Sequence, residues 1–330
     1  MQRAVPRGGG DGGDRSIGHV AKANMKNWIF ASSARIFAPI IRRIMRDRAF
    51  FEAFQARGVH ILPVGFYFPV PDTRELRDVD FGVASELAGI DVDIDAMRRL
   101  LDPSVFEPLA HDFWSIVDKW KSNGVPVSFG GIDGLMLNYF VRTLKPNRIV
   151  EVGGGFSTVI SAEACIANAH CEASSVAEVF SIDPSPREYL KNPNIKNITI
   201  HQERVQKVPL EVFESLDAND ILFIDSSHVA KCGSDVVFEI NEILPRLRSG
   251  VYVHFHDINL PFDYKKDWIM RGTYWNEQYM LQAFLQFNEA YRVLWGSTLA
   301  RAYCPDAVKQ VFPEFDPARE VGGSFWMKRL

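Results

Sequence analysis

With 330 residues, 47% of them hydrophobic and 24% charged, the chain is long enough to bury a large α/β core and too evenly mixed to be fibrous or wholly disordered. The net charge of −4 conceals an asymmetry, since residues 1–50 hold ten Lys/Arg against three Asp/Glu and the remainder is therefore clearly acidic. Cys165, Cys171, Cys232 and Cys304 have neither the paired spacing of a zinc cluster nor the density of a disulfide scaffold, which fits a reducing, cytoplasmic setting.

Residues 1–23 form a Gly-rich basic tail without the apolar core of a secretory signal, and they read as disordered. Such an arm suits a solubilising tail; weak contact with an anionic membrane surface is the other reading. The apolar stretch from Trp28 to Ile41 is interrupted by Arg35 and Pro39 and falls short of the ~20 residues a membrane-spanning helix needs. Pro39 opens a predicted helix running to about Arg57, with Ile40, Ile44, Phe51 and Phe54 near one face and Gly58 as its stop. The proline- and aromatic-rich run at 58–73 predicts an extended, packed loop rather than a strand. Residues 92–122 read as helical, with Met97, Phe106, Phe113, Ile116 and Trp120 as core. Residues 24–127 thus make an N-terminal helical and loop extension, a lid or substrate wall.

From residue 128 the pattern becomes that of βαβ units around a parallel sheet. The predicted elements are helix 132–144, strand 148–153, helix 157–169, strands 178–183, 197–201 and 220–225, helix 233–246, strand 250–256 and a helix at about 275–288. The runs 291–297 and 323–329 close the sheet as an antiparallel pair.

The stretch Arg148-Ile-Val-Glu-Val-Gly-Gly-Gly-Phe-Ser-Thr158 is a buried strand entering glycines and then a helix capped by Ser157 or Thr158. Ligands bind beyond the carboxyl ends of such strands, and glycines let them approach the backbone. Thr158 stands where a dinucleotide fingerprint needs its third glycine, and Glu151 precedes the turn. A carboxylate there repels a diphosphate but tolerates a sulfonium, so the sign of the charge favours S-adenosylmethionine over NAD. Asp183 ends the next strand, placed to accept both ribose hydroxyl hydrogens.

Glu151-Val-Gly-Gly-Gly-Phe-Ser-Thr, then Asp183, then Phe223-Ile-Asp-Ser-Ser-His228, and finally Gly322-Gly-Ser-Phe-Trp-Met-Lys, resembles the ordered motif set of class I S-adenosylmethionine-dependent methyltransferases over about residues 128–330. Within them it looks most like the bacterial small-molecule and sugar O-methyltransferases of the cephalosporin hydroxylase-like group. The resemblance implies a Rossmann-like, seven-stranded sheet, mostly parallel with an antiparallel last strand. It implies a donor site built from Glu151, Gly153, Gly154, Gly155, Ser157, Thr158, Asp183 and Asp225, and methylation of a hydroxyl on a small-molecule acceptor, a sugar or secondary metabolite.

Two further strand ends, Asp225-Ser-Ser-His228 and His254-Phe-His256-Asp257, converge on the same sheet edge. His228 and His256 are candidate bases, because imidazole titrates near neutrality and both stand at or just beyond a strand's carboxyl end. His254 alternates with His256 and shares its face, with Phe255 opposite. Metal-dependent members of the resembled family hold magnesium between acids at these two strand ends, which implies Asp225 and Asp257 as ligands. Where relatives carry Asp-Asn or Glu-Asp, this chain has His256-Asp257, a departure that admits manganese, iron, zinc or no metal. Tyr264, Trp275 and Asn276, with Trp268 and Glu277 nearby, are candidates for the acceptor wall, although aromatics at this spacing equally serve as core. The competing functions are a non-catalytic S-adenosylmethionine-binding protein, an NAD-dependent oxidoreductase working despite Glu151 and Thr158, and a nucleic-acid methyltransferase. The acidic catalytic portion shows no basic stripe, so no nucleic-acid partner is expected.

Overall fold

A computed structural model describes residues 14–173, 175–313 and 322–330, with side chains from residue 25 onward. The chain divides into two compact units, Met1–Val79 and Asp80–Leu330. The expected tail at residues 1–13 lies outside the described residues.

In the first unit, helix α1 spans Asp14–Ile44 and α2 spans Arg48–Gln55. This differs from the single helix expected from Pro39 to Arg57: Pro39 lies inside α1, and the break falls later, where the Asp47 carboxylate accepts from Phe50 N at 3.1 Å and starts α2 afresh. Helix α1 also reaches into residues 14–23, which the sequence placed in the tail. The run at 58–73 has no strand, as expected, but its tip is not packed, because Phe66 and Tyr67 are 94% and 90% exposed. Among the described residues no helix is long and apolar enough to cross a membrane.

The second unit starts 48 residues before the expected boundary at 128, so it takes in α3 (Ile94–Leu100) and α4 (Pro103–Ser122). Asp93 and Asp102 cap these helices through Ala96 N and Ser104 N, and the second cap splits the predicted 92–122 helix in two. Met97, Phe106, Phe113 and Trp120 are fully buried, and Trp120 Nε1 donates to Glu163 on the sheet's flanking helix at 2.9 Å. Helices α3 and α4 therefore belong to the same core as the sheet.

That sheet has seven strands: β1 (Arg148–Val152), β2 (Glu178–Ile182), β3 (Ile198–His201), β4 (Ile221–Ile224), β5 (Tyr252–Phe255), β6 (Tyr291–Gly296) and β7 (Phe325–Arg329). Their spatial order is β3-β2-β1-β4-β5-β7-β6. Strands β1 to β5 pair in parallel, and β7 runs antiparallel between β5 and β6. Helix α5 (Gly131–Leu144) precedes β1, α6 (Phe156–Glu172) follows it, and α7 (Glu211–Glu214) precedes β4. After β4 come α8 (Asp235–Phe238) and, beyond β5, α9 (Lys266–Met270), α10 (Glu277–Leu285), α11 (Ser297–Tyr303) and α12 (Pro305–Val311). Strand β4 is buried at every position because helices cover both faces of a parallel sheet. This is the expected Rossmann-like architecture.

The predicted helix 233–246 changes character along its length: α8 passes into a π-helical turn at Glu239–Ile243 and then a tight turn at Leu244–Arg246. Pro245 cannot donate to an α-helical bond, and the wide turn carries Glu239 inward, where it accepts from Ser226 Oγ at 3.0 Å.

Candidate active site

The glycine turn after β1 brings the backbone against the end of β4. Gly153 has φ +88°, and a Cβ there would lie 2.0 Å from the Asp225 carbonyl oxygen, so no other residue fits. Gly154 N donates to Asp183 Oδ2 at 3.1 Å, and Ser185 N donates to Asp183 Oδ1 at 2.7 Å. Beside this turn lies a cavity of about 430 Å³, lined by Gly153, Asp183, Asp225, Ser226, Lys231 and Asp235 among others. Of the residues expected to hold the donor, Gly153, Asp183 and Asp225 line this cavity. Arg204, Gln206, Lys231 and Asp235 line it as well and were not anticipated, although the first two follow β3 at the same carboxyl edge.

Glu151 behaves differently from the expectation drawn from its charge. Its carboxylate is held by the first turn of α6, accepting from Ser157 Oγ at 2.6 Å and Thr158 Oγ1 at 2.5 Å, and it is not among the residues lining the cavity. Thr158 Oγ1 also accepts from Gly155 N at 3.0 Å. Glu151, Ser157 and Thr158 thus brace the turn from behind. Burial pushes the Glu151 carboxyl up to about 7, against the opposing pull of the two hydroxyls.

The convergence of the next two strand ends is tighter than foreseen. His228 Nε2 stands 3.4 Å from Asp225 Oδ1 and 3.6 Å from Asp257 Oδ2, and His256 Nδ1 stands 3.6 Å from each of the same two oxygens. Both His228 (φ +59°) and Asp257 (φ +56°) hold left-handed backbone, uncommon outside glycine and concentrated at functional sites. The outer nitrogens are also engaged. His228 Nδ1 meets Glu277 Oε2 at 2.8 Å, and His256 Nε2 lies 3.4 Å from Asp133 Oδ2. Burial alone would lower both imidazoles, but the carboxylates around them prevail: His228 is raised to about 10 and His256 is raised well above its usual value. Asp225 is held well below the carboxylate range, because the hydrogen bonds from His228 and His256 outweigh its burial.

His254 shares a face with His256, as expected, and takes a structural part. It is fully buried, stacks on Phe223 with ring centroids 4.0 Å apart, and meets Ser324 Oγ through Nε2 at 2.9 Å. Burial lowers its pKa well below the usual value, which keeps it neutral.

Three buried acids support this cluster; Asp133 and Glu239 were not read from the sequence as site residues, and Glu277 was placed only beside the acceptor wall. Asp133 on α5 accepts from Gly323 N at 2.7 Å, Ser324 N at 3.0 Å and Ser297 Oγ at 2.7 Å, which joins α5 to β7 and α11 behind His256. Glu277 opens α10 behind His228, and Glu239 reaches Ser226 from the π-turn. Burial raises both glutamates, and Glu277 raises Glu239 further.

The three residues expected to line the acceptor separate in the structure. Trp275 is half-buried, with its ring centroid 4.4 Å from that of His228. Tyr264 is buried; its hydroxyl accepts from Gln278 N at 3.1 Å and it borders a second cavity of about 630 Å³, together with Asn259, Lys265, Trp268, Arg271 and Arg301. Trp275 packs edge-on against both Trp268 and Tyr264, which links the cluster to that cavity. Asn276 instead ties a loop, its Oδ1 accepting from Ala230 N at 2.6 Å and its Nδ2 donating to Ala230 O at 3.2 Å.

Residues 150–258 match a family model described as a methyltransferase domain. An uncharacterized protein of Archaeoglobus fulgidus is 32% identical over 177 residues, which cover 49% of this chain and 76% of that relative. Among solved structures, the O-methyltransferase from Bacillus cereus in complex with SAH aligns with a TM-score of 0.36 and 15% identity over 67% of this chain and 90% of that one. The SAH-bound Podospora anserina methyltransferase PaMTH1 gives a TM-score of 0.39 and 15% identity over 67% and 87%. The matched span runs from β1 to the turn after β5 and so contains the glycine turn, Asp183, Asp225, His228, His256 and Asp257. The chain belongs to the methyltransferase-domain family.

Proposed function

We propose that the chain transfers a methyl group from S-adenosylmethionine to a hydroxyl oxygen of a small-molecule acceptor. The observation that carries this reading is the double position of Asp225, which lines the cavity beside the glycine turn and also forms one corner of the Asp225–His228–Asp257–His256 cluster. Donor and acceptor sites therefore share a wall, as in-line displacement requires.

The cavity fits such a donor. Each Asp183 oxygen takes one backbone N–H and keeps a lone pair for a ribose hydroxyl. When bound, S-adenosylmethionine supplies an electrophilic methyl carbon on a sulfonium. The residues of this chain do the rest. Asp183 fixes the ribose, the cluster receives the acceptor hydroxyl and takes up its proton, and Trp275 walls one side. The cavity bordered by Tyr264, Lys265 and Trp268 holds the remainder of the acceptor. The inward turn of Glu151 removes the charge argument against NAD, so the preference for the methyl donor now rests on the family and on Asp183 and Asp225.

Isothermal titration of the full chain with S-adenosylmethionine, S-adenosylhomocysteine and NAD tests the reading. Micromolar binding of the first two without the third is expected. Binding of NAD alone, or of none of them, refutes it.

A further inference from the structure

We propose that the cavity bordered by Tyr264, Lys265 and Trp268 is an anion subsite, and that the acceptor whose hydroxyl meets the Asp225–His228–Asp257–His256 cluster carries a carboxylate or phosphate seated there; the second half of this inference rests on the proposed methyl transfer. The cavity, about 630 Å³, has the size of a small-molecule site. Its charged lining is Lys265, Lys266, Arg271 and Arg301 against Asp263 and Asp267, an excess of two positive charges in a chain whose net charge is −4. One of the two acids is engaged within the wall, since Asp263 accepts from the Tyr279 hydroxyl and, at 2.7 Å, from Tyr264 N.

Two of the cations are partly desolvated and stand within each other's field. Lys265 and Arg301 are both half-buried. Burial lowers the Lys265 ammonium, Asp257 opposes that and Arg301 adds to it, and burial lowers the Arg301 guanidinium too. Half-buried cations that repel each other are stabilised by an oxyanion set between them, because charge-assisted hydrogen bonds replace the water that burial removes. Asn259 adds a neutral donor. It lines the same cavity at 5% exposure, and its buried Nδ2 makes no hydrogen bond among the described residues. Buried donors are ordinarily paired, and an oxyanion accepts from an amide as readily as from a cation.

Aromatic rings connect this wall to the reacting edge. The ring centroids of His228 and Trp275 are 4.4 Å apart, those of Trp275 and Trp268 are 5.0 Å apart, and Lys265 Nζ stands 4.6 Å from the Trp268 centroid. The ammonium is therefore no farther from the His228 ring than those three steps together, a span that one small molecule covers. Trp268, Tyr264 and Phe262 supply apolar surface for the body of the acceptor between its hydroxyl and its anionic group. This narrows the acceptor to a hydroxylated acid or phosphate ester and disfavours a neutral sugar.

The test follows the tryptophan fluorescence of the full chain titrated with benzoate, with phenyl phosphate and with the neutral benzamide. At least one anion should bind saturably and about tenfold or more tightly than benzamide, and added NaCl should weaken the anion while leaving benzamide unmoved. The tighter anion identifies the group the acceptor carries. Arg301→Gln and Lys265→Gln should each weaken the anion about tenfold, and Lys196→Gln, which removes an exposed cation outside the cavity, should not. The comparison with benzamide in the unaltered chain needs no variant. Equal affinity for benzamide and the anions, binding of none of the three, or indifference to both cavity variants overturns the proposal. Titration with S-adenosylmethionine is read separately. A chain that binds an anion here and no methyl donor keeps the subsite and refutes the proposed activity, whereas methyl-donor binding without a preference for anions keeps the activity and refutes the subsite.

Discussion

Glu151→Gln should convert a pH-dependent stability into a flat one. The unfolded chain ionises this residue near 4.5, whereas burial in the fold raises it to about 7. Between those values the folded state binds the extra proton, so the stability this group contributes is fully present below pH 4.5 and is lost as the pH rises through 7. The gap of about 2.5 pH units corresponds to about 3 kcal/mol at 1.36 kcal/mol per unit. Glutamine has the same shape, carries no proton to lose, and its amide oxygen still accepts from the Ser157 or Thr158 hydroxyl. The variant and the unaltered chain should therefore melt together at pH 5. At pH 8 the variant should melt higher by roughly 6–12 °C for a unit of this size. Scanning calorimetry of both proteins from pH 4.5 to 8.5, without ligand, is the assay. An offset that is the same at pH 5 and pH 8 would mean that the buried carboxylate is ionised throughout, and the reasoning would fail.

Asp183→Asn should weaken S-adenosylhomocysteine binding about tenfold, by loss of a charge-assisted hydrogen bond, and lower the melting temperature modestly, because its NH2 must replace the oxygen that accepts from either Gly154 N or Ser185 N; titration calorimetry reads the first effect and thermal unfolding the second. Gly153→Ala places a Cβ at 2.0 Å from the Asp225 carbonyl and a side chain on left-handed backbone, so urea unfolding should show a loss of at least about 3 kcal/mol, or the variant should fail to accumulate. Asp133→Ala strips the acceptor from Gly323 N, Ser324 N and Ser297 Oγ at once, and the same urea assay should report a loss of about 3 kcal/mol. A loss under 1 kcal/mol in either of the last two variants would show that the contacts are dispensable.

The glycine turn, Asp183 and Asp225 were legible because strand, turn and helix follow one another within a few residues, and because ligands gather at the carboxyl edge of a parallel sheet. The direction of Glu151 was not legible. Alternation along β1 says which face a side chain takes, not whether two hydroxyls on the next helix will claim it. Asp133, and the pairing of Glu277 with His228, escaped for a different reason: Gly323 lies 190 residues from Asp133, and His228 lies 49 residues from Glu277, so no local spacing marks the pairs. The available signal was an acid in an apolar helix in one case and an acid between aromatics in the other, since carboxylates are seldom fully buried without a partner. The split of the 233–246 helix followed from Pro245 and the inward pull on Glu239, and helical periodicity does not report either.

The reversed strand β7 has a consequence for the order in which the molecule becomes competent. Because it runs against β5, the residues leading into it, Gly323 and Ser324, arrive at the carboxyl edge, where they meet Asp133 and His254 across separations of 190 and 70 residues. The donor cavity, by contrast, is closed entirely by segments between residues 152 and 235. Contacts that span longer stretches of chain cost more closure entropy and form later. Loop-closure entropy therefore leads to the expectation that a folding chain shapes the cavity beside the glycine turn before it locks Asp133 and His254 against β7.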